Sequence, residues 1–170
     1  LRMLRDAGTA RKIRLTGSYD IDVPIALGVL SPEICLPERA LYRLSPEHRF
    51  PVAVEDSLAA THWVRAHADE LHLDASRLAV GGDSAGGNLA AVVSIAARDS
   101  GDLPIAFQLL IYPATDQHRT APSHAENGEG YLLTNDTMDY FGDHYLPDPA
   151  HYTDWRASPL LASSLKGLPP

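Results

Sequence analysis

The sequence contains one cysteine, Cys35, in 170 residues. A lone thiol closes no disulfide within the chain and offers neither a zinc ribbon nor a paired-thiol redox motif. Basic residues are also scarce. The 14 Lys and Arg against 22 Asp and Glu leave a formal charge of −8, which excludes the clustered positive surface that a nucleic-acid backbone demands. The longest apolar runs, residues 23–30 and 89–97, fall well short of the roughly 20 residues that span a bilayer. A secretory signal is not visible either, because the opening stretch mixes Arg2, Arg5, Arg11, Lys12 and Arg14 with no apolar centre. These absences predict a soluble, cytoplasmic protein with no nucleic-acid partner and no membrane span. The chain begins with Leu1, so the expectation is that Leu1 is not the native start.

What is present is ordinary for a globular chain: 45% hydrophobic and 21% charged residues, with 12 glycines and 13 prolines. Up to residue 41 six basic and five acidic side chains nearly balance, whereas the remainder carries −9. That shift divides the chain into an unassigned segment, 1–41, and a regular one, 42–170. In the first, a helical turn at 1–5, a strand at 21–30 broken by Pro24 and Gly28, and a proline-punctuated loop at 31–38 are the readable features.

From Tyr42 the pattern sharpens. The stretch YRLSPEHRFP reads as a strand end and turn, with Pro51 at the first position of a helix. Val54, Leu58, Thr61 and Val64 recur at i, i+4, i+7 and i+10 and predict a buried helical stripe. Asp74 and Ser76 mark a turn before a short strand at 77–81. A glycine-rich stretch follows, then a second helix whose apolar face is Leu89, Val92, Val93, Ala96 and Ala97. Gly101 and Pro104 end it before a buried strand, IAFQLLIY, at 105–112. Helices alternating with apolar strands predict an α/β architecture, a mostly parallel sheet with helices on both faces. Residues 114–130 read as a loop. Thr134 is the predicted cap of a helix in which Met138, Phe141 and Tyr145 share a face.

Gly82-Asp83-Ser84-Ala85-Gly86 matches G-x-S-x-G. Such a match arises by chance about once in twenty chains of this length, so the surroundings carry the argument. Leu78, Ala79 and Val80 run as a strand straight into the motif, and a helix starts straight after it. A serine at that corner is forced into strained dihedrals that lift its Oγ clear of the sheet. Gly82 and Gly86 are expected to be small because strand and helix nearly touch there. The Ala85 N–H opens the helix and is the expected oxyanion donor, with the helix dipole behind it. Gly87 adds a further position without a side chain. A phosphate-binding turn fits poorly, because neither the G-x-x-x-x-G-K-[ST] lysine nor G-x-G-x-x-G is formed.

GDSAGGNLA at 82–90, preceded by YRLSPEHRFPVAVED and followed by LIYP, resembles the hormone-sensitive-lipase-like (family IV) esterases of the α/β-hydrolase superfamily. GYLLT at 130–134 and SPLLASSLKGLPP at 158–170 are similar to that family's cap-side segment and its approach to the acid-bearing strand. The resemblance implies an α/β-hydrolase-type three-layer fold, incomplete at both ends, with a cap-like segment at about 114–156. It further implies hydrolysis of small carboxylic esters of short to medium acyl chain, without a cofactor or metal. Ser84 stands at the nucleophile position, Ala85 at that of an oxyanion donor, and Asp83 at the acidic position before the serine. Met138 and Phe141, with Tyr145, are candidate walls of an acyl pocket, with packing of the cap as the equal alternative.

Two departures stand out. No histidine precedes His48, and the glycines before Tyr42 are Gly8, Gly17 and Gly28, so the family's HGGG loop is absent. In the family the triad order is Ser, then Asp or Glu, then His, and the acid follows a strand beyond the GLPP stretch, which here ends at Pro170. The isolated chain is therefore expected to be impaired as a catalyst. The abrupt loss of pattern before Tyr42 suggests a mis-translated or mis-assembled start. His118, His124, His144 and His151 follow Ser84 but sit in the loop and cap-like region, away from the end of a strand. His62, His67 and His72, spaced by five, do not converge as metal ligands and read as solvated surface. Arg43, Glu47, Glu55 and Asp56 read as a structural ion-pair cluster at the sheet end, with a catalytic network as the less favoured alternative. Asn135-Asp136-Thr137 is a glycosylation sequon read as coincidence. A ligand-binding pseudo-hydrolase, receptor-like and without catalysis, remains the alternative function.

Overall fold

The computed structural model describes residues 45–170. The expected elements at 1–5, 21–30 and 31–38, the strand end at 42–44, Cys35 and Arg43 lie outside the described residues. The first helix, α1, spans Val52–Ala66 with Pro51 at its N-cap, so it begins one residue later than predicted. Its stripe is as the spacing requires: Val54, Thr61 and Val64 are buried and Leu58 is half-buried. Ser57 is buried as well. Its hydroxyl and that of Thr61 each donate to the carbonyl one turn back, at 2.7 Å, so these polar groups enter the core already paired.

The first strand, β1, spans Leu78–Asp83, and α2, Ser84–Ser100, follows with no residue between them. Gly101 ends α2 in the left-handed region at φ 71°, its N–H donating to Ala97 O. The second strand, β2, spans Ile105–Ile111 and pairs in parallel with β1, Val80 opposite Gln108 and Asp83 opposite Ile111. A parallel neighbour cannot be reached by a tight turn, so the chain needs the crossover that α2 provides.

Helix α2 is the spine of the core. Ala90 and Val93, one turn apart, pack on Val80 of β1 with Ile105 and Leu110 of β2. Val92 packs instead with Phe50, Val54, Leu146 and Ala157. Among the described residues helical cover falls on one face of the sheet only. Leu110 is packed toward α2, whereas Phe107 and Ile111, on the alternate face, are 43% and 41% exposed. The expected second helical layer is therefore not among these residues.

The stretch 114–130 is not wholly loop, since α3, Pro122–Glu126, forms a single turn within it. Helix α4, Asn135–Tyr145, starts at Thr134, whose hydroxyl oxygen accepts from the Thr137 N–H, as the sequence predicts. Two 3₁₀ turns follow, Pro149–Thr153 and Pro159–Leu161. His67 is not simply solvated: it is half-buried, stacks on Trp63 at 4.4 Å, and its Nδ1 lies 2.8 Å from the Trp63 carbonyl. No helix among the described residues is long and apolar enough to cross a membrane.

Tyr145 packs edge-on against Phe50, and its hydroxyl is buried with no hydrogen-bond partner among the described residues. Burial alone pushes its phenol up to about 12. The folded value lies above the roughly 10 of an unfolded tyrosine, so this contribution is fully present below pH ~10 and is lost as pH rises towards 12. Tyr145→Phe should remove that alkaline loss. It should also raise stability at pH 7 by about 1 kcal/mol, because an unpaired buried hydroxyl disappears with the ring contact retained. Urea denaturation of both forms at pH 7 and pH 11 checks this.

Candidate active site

Ser84 is the residue where β1 becomes α2. Its φ of 51° is in the left-handed region, which a non-glycine residue occupies at a cost of about 1–3 kcal/mol. The strand therefore runs two residues further than the sequence suggests, through Gly82 and Asp83, and all the turning is concentrated at the serine. Ser84 is half-buried, and no hydrogen bond among the described residues holds its Oγ. Ala85, exposed, is the second residue of α2, so its N–H has no acceptor within the helix. A backbone donor and the positive helix end thus lie beside an unconstrained hydroxyl. That pairing suits a developing oxyanion.

The glycines divide differently from the expectation. A Cβ on Gly82 would overlap the Gly86 carbonyl carbon and come 2.6 Å from its oxygen, so Gly82 is required by the close approach of strand and helix. A Cβ on Gly86 would meet nothing within 4 Å. The expectation that both must be small is corrected: the crowding falls on Gly86's backbone, and its own Cβ direction is open. Gly87 has the second tight position, where a Cβ would lie 3.0 Å from both Gly82 O and Pro113 Cβ.

The segment after β2 closes over this corner. Tyr112, at φ 36°, donates its hydroxyl to Asp83 Oδ2 at 3.4 Å. The Ala114 N–H donates to Ser84 O at 3.2 Å. Asn88, buried at 4% exposure, donates from Nδ2 to Ala114 O at 2.6 Å and to Ala157 O at 2.7 Å. Sequence reasoning missed Tyr112 and Asn88. The one signal for Asn88 is an amide set among Gly, Leu and Ala on an otherwise apolar helix face.

Other candidates are scattered. Met138 is half-buried and Phe141 is 57% exposed, set edge-on to Tyr140. A surface cavity of about 550 Å³ is lined by His151, Asp154, Trp155, Arg156 and neighbours, and includes neither of them nor Ser84. Asp154 is held below its ordinary range, first by the hydrogen bond from Arg156, whose guanidinium lies 5.4 Å over the Phe50 ring. His118 pairs with Asp116 at 3.0 Å. Asp116 is lowered, first by the His118 backbone N–H, and so works mainly as the anchor of its own turn. Glu47 and Glu55 are exposed and Asp56 is buried. No group of three or more His, Cys, Asp or Glu among the described residues could hold a metal ion.

Residues 39–170 match the family described as alpha/beta hydrolase fold. A Mycobacterium tuberculosis carboxylesterase, NlhH, is 44% identical over 133 residues, covering 76% of this chain and 41% of that protein. The ethyl acetate hydrolase of Pseudomonas putida is 44% identical over 124 residues, covering 72% and 39%. Among solved structures, a hyperthermophilic esterase from Pyrobaculum calidifontis superposes with a TM-score of 0.72 at 45% identity, covering 76% of this chain and 42% of that one. The chain thus spans about two-fifths of the length of these relatives. The parallel strands and the crossover helix agree with these matches: the chain belongs to the α/β hydrolase fold family, in the hormone-sensitive-lipase-like esterase branch that GDSAGGNLA and LIYP resemble.

Proposed function

We propose that this chain is the nucleophile-bearing part of a serine carboxylic-ester hydrolase acting on small esters of short to medium acyl chain. Ser84 Oγ attacks the ester carbonyl, and the Ala85 N–H donates to the oxyanion that forms. Collapse breaks the bond to the alkoxy oxygen, which leaves as the alcohol, and water then releases the acid from the acyl-enzyme. The observation that carries this reading is the left-handed Ser84 at the head of α2 beside the free Ala85 N–H. The relatives named carboxylesterase and ethyl acetate hydrolase support the ester class and its short-chain end.

The proton from Ser84 needs a base, and no histidine among the described residues is hydrogen-bonded to the serine. The triad acid and base, and the remaining oxyanion donors, belong on this reading to segments that the longer relatives have and this chain does not cover. Residues 114–156 serve on this reading as part of a cap over the site, and the hydrolase family match covers residues 39–170. The 170-residue chain alone should therefore hydrolyse p-nitrophenyl butyrate poorly or not at all. A graft of residues 39–170 into the matching part of the mycobacterial carboxylesterase should recover turnover. Robust hydrolysis by the isolated chain would contradict the incomplete-machinery claim, and an inactive but folded graft would contradict the esterase reading.

A further inference from the structure

We propose that Asn88 is a positioning residue for Ser84, a buried amide clamp that holds the strained corner in its reactive geometry; this rests on the reading of Ser84 as the nucleophile. Asn88 lies one helical turn beyond Ser84 on α2, and so on the same side of the helix. Both of its amide hydrogens are used, toward Ala114 O at 2.6 Å and Ala157 O at 2.7 Å. Since both partners are carbonyls, the NH₂ end must face them, and the orientation of the amide is fixed by chemistry.

The consequence for Ser84 runs through Ala114. Its carbonyl accepts from Asn88 and its N–H donates to Ser84 O at 3.2 Å. Ser84, Ala114 and Asn88 thereby close a ring of hydrogen bonds around the first turn of α2. A φ of 51° persists only where neighbouring contacts over-determine it. Pro113, packed against Gly87, bounds the ring on one side. Gln117 bounds it on the other, its Nε2 donating to the same Ala157 carbonyl at 3.0 Å. An Asp at position 88 would face two carbonyls with a carboxylate, and a Leu would leave both without this donor in a buried site.

Residue-resolved amide exchange on the 170-residue chain separates positioning from general support. Ser94→Ala is the control, because Ser94 is equally buried on α2 and bonds only to Ala90 O within the helix. Asn88→Ala should speed exchange at the Ala114 N–H roughly tenfold more than at Val92 and Val93, and Ser94→Ala should move all three together. Asn88→Ser, which keeps one donor and is the milder variant should Asn88→Ala fold poorly, should recover part of the protection. In the graft, Asn88→Ala should lower kcat for p-nitrophenyl butyrate roughly 10- to 100-fold with KM little changed. Ala114 exchange that tracks Val92 in both Asn88 variants, or a folded Asn88→Ala graft with wild-type kcat, would overturn the proposal. If instead the graft keeps its activity after Ser84→Ala, the nucleophile reading fails, and the exchange pattern still reports on the clamp.

Discussion

Ser84→Ala in the graft should reduce hydrolysis of p-nitrophenyl butyrate by roughly 10³-fold or more, with the fold unchanged. The size follows from losing the covalent route altogether: what remains is the oxyanion donor and binding, and neither forms an acyl-enzyme. Stability should not fall, because the Ser84 hydroxyl makes no hydrogen bond among the described residues. Alanine carries a Cβ as serine does and meets the same left-handed backbone at φ 51°. A stability loss accompanying the activity loss would mean that the hydroxyl holds the corner together. An unchanged kcat would mean that the corner is only a turn. Matched steady-state kinetics and thermal unfolding distinguish these outcomes.

Gly82→Ala should cost about 3 kcal/mol of folding stability, whereas Gly86→Ala should be neutral or gain about 0.5–1 kcal/mol. At position 82 the added methyl would come 2.6 Å from the Gly86 carbonyl oxygen, and both sides of that contact are backbone in regular structure, so no rotamer can relieve it. At position 86 the added methyl meets nothing within 4 Å and lies inside a helix, where Ala is favoured over Gly. The two glycines look equivalent in the motif and differ in the structure. Urea denaturation of the two variants reads the difference directly, and equal effects would contradict the geometry.

Much of this organisation is legible in the sequence because it is local. The α1 stripe is set by i, i+4 spacing, and the Thr134 cap by a hydroxyl three residues from its donor. The strand, serine and helix follow one another without a gap. What is not legible depends on residues distant along the chain. Asn88 is joined to carbonyls 26 and 69 residues away, and no spacing rule reports such partners. Part of the tightness at Gly87 comes from Pro113, brought in only when β2 returns beside β1. Helix α3 lacks an apolar stripe, with none of Pro122–Glu126 buried, so periodicity has nothing to detect. His67 was within reach: an aromatic pair at i, i+4 with Trp63 meets on one helix face.

Acylation of Ser84 is the step on which the esterase reading stands. Treating the graft with a fluorophosphonate and mapping the adduct by peptide mass spectrometry tests it most directly. One stoichiometric adduct is expected on Ser84 and none in Ser84→Ala; an adduct on another residue, or labelling that survives Ser84→Ala, would overturn the nucleophile assignment.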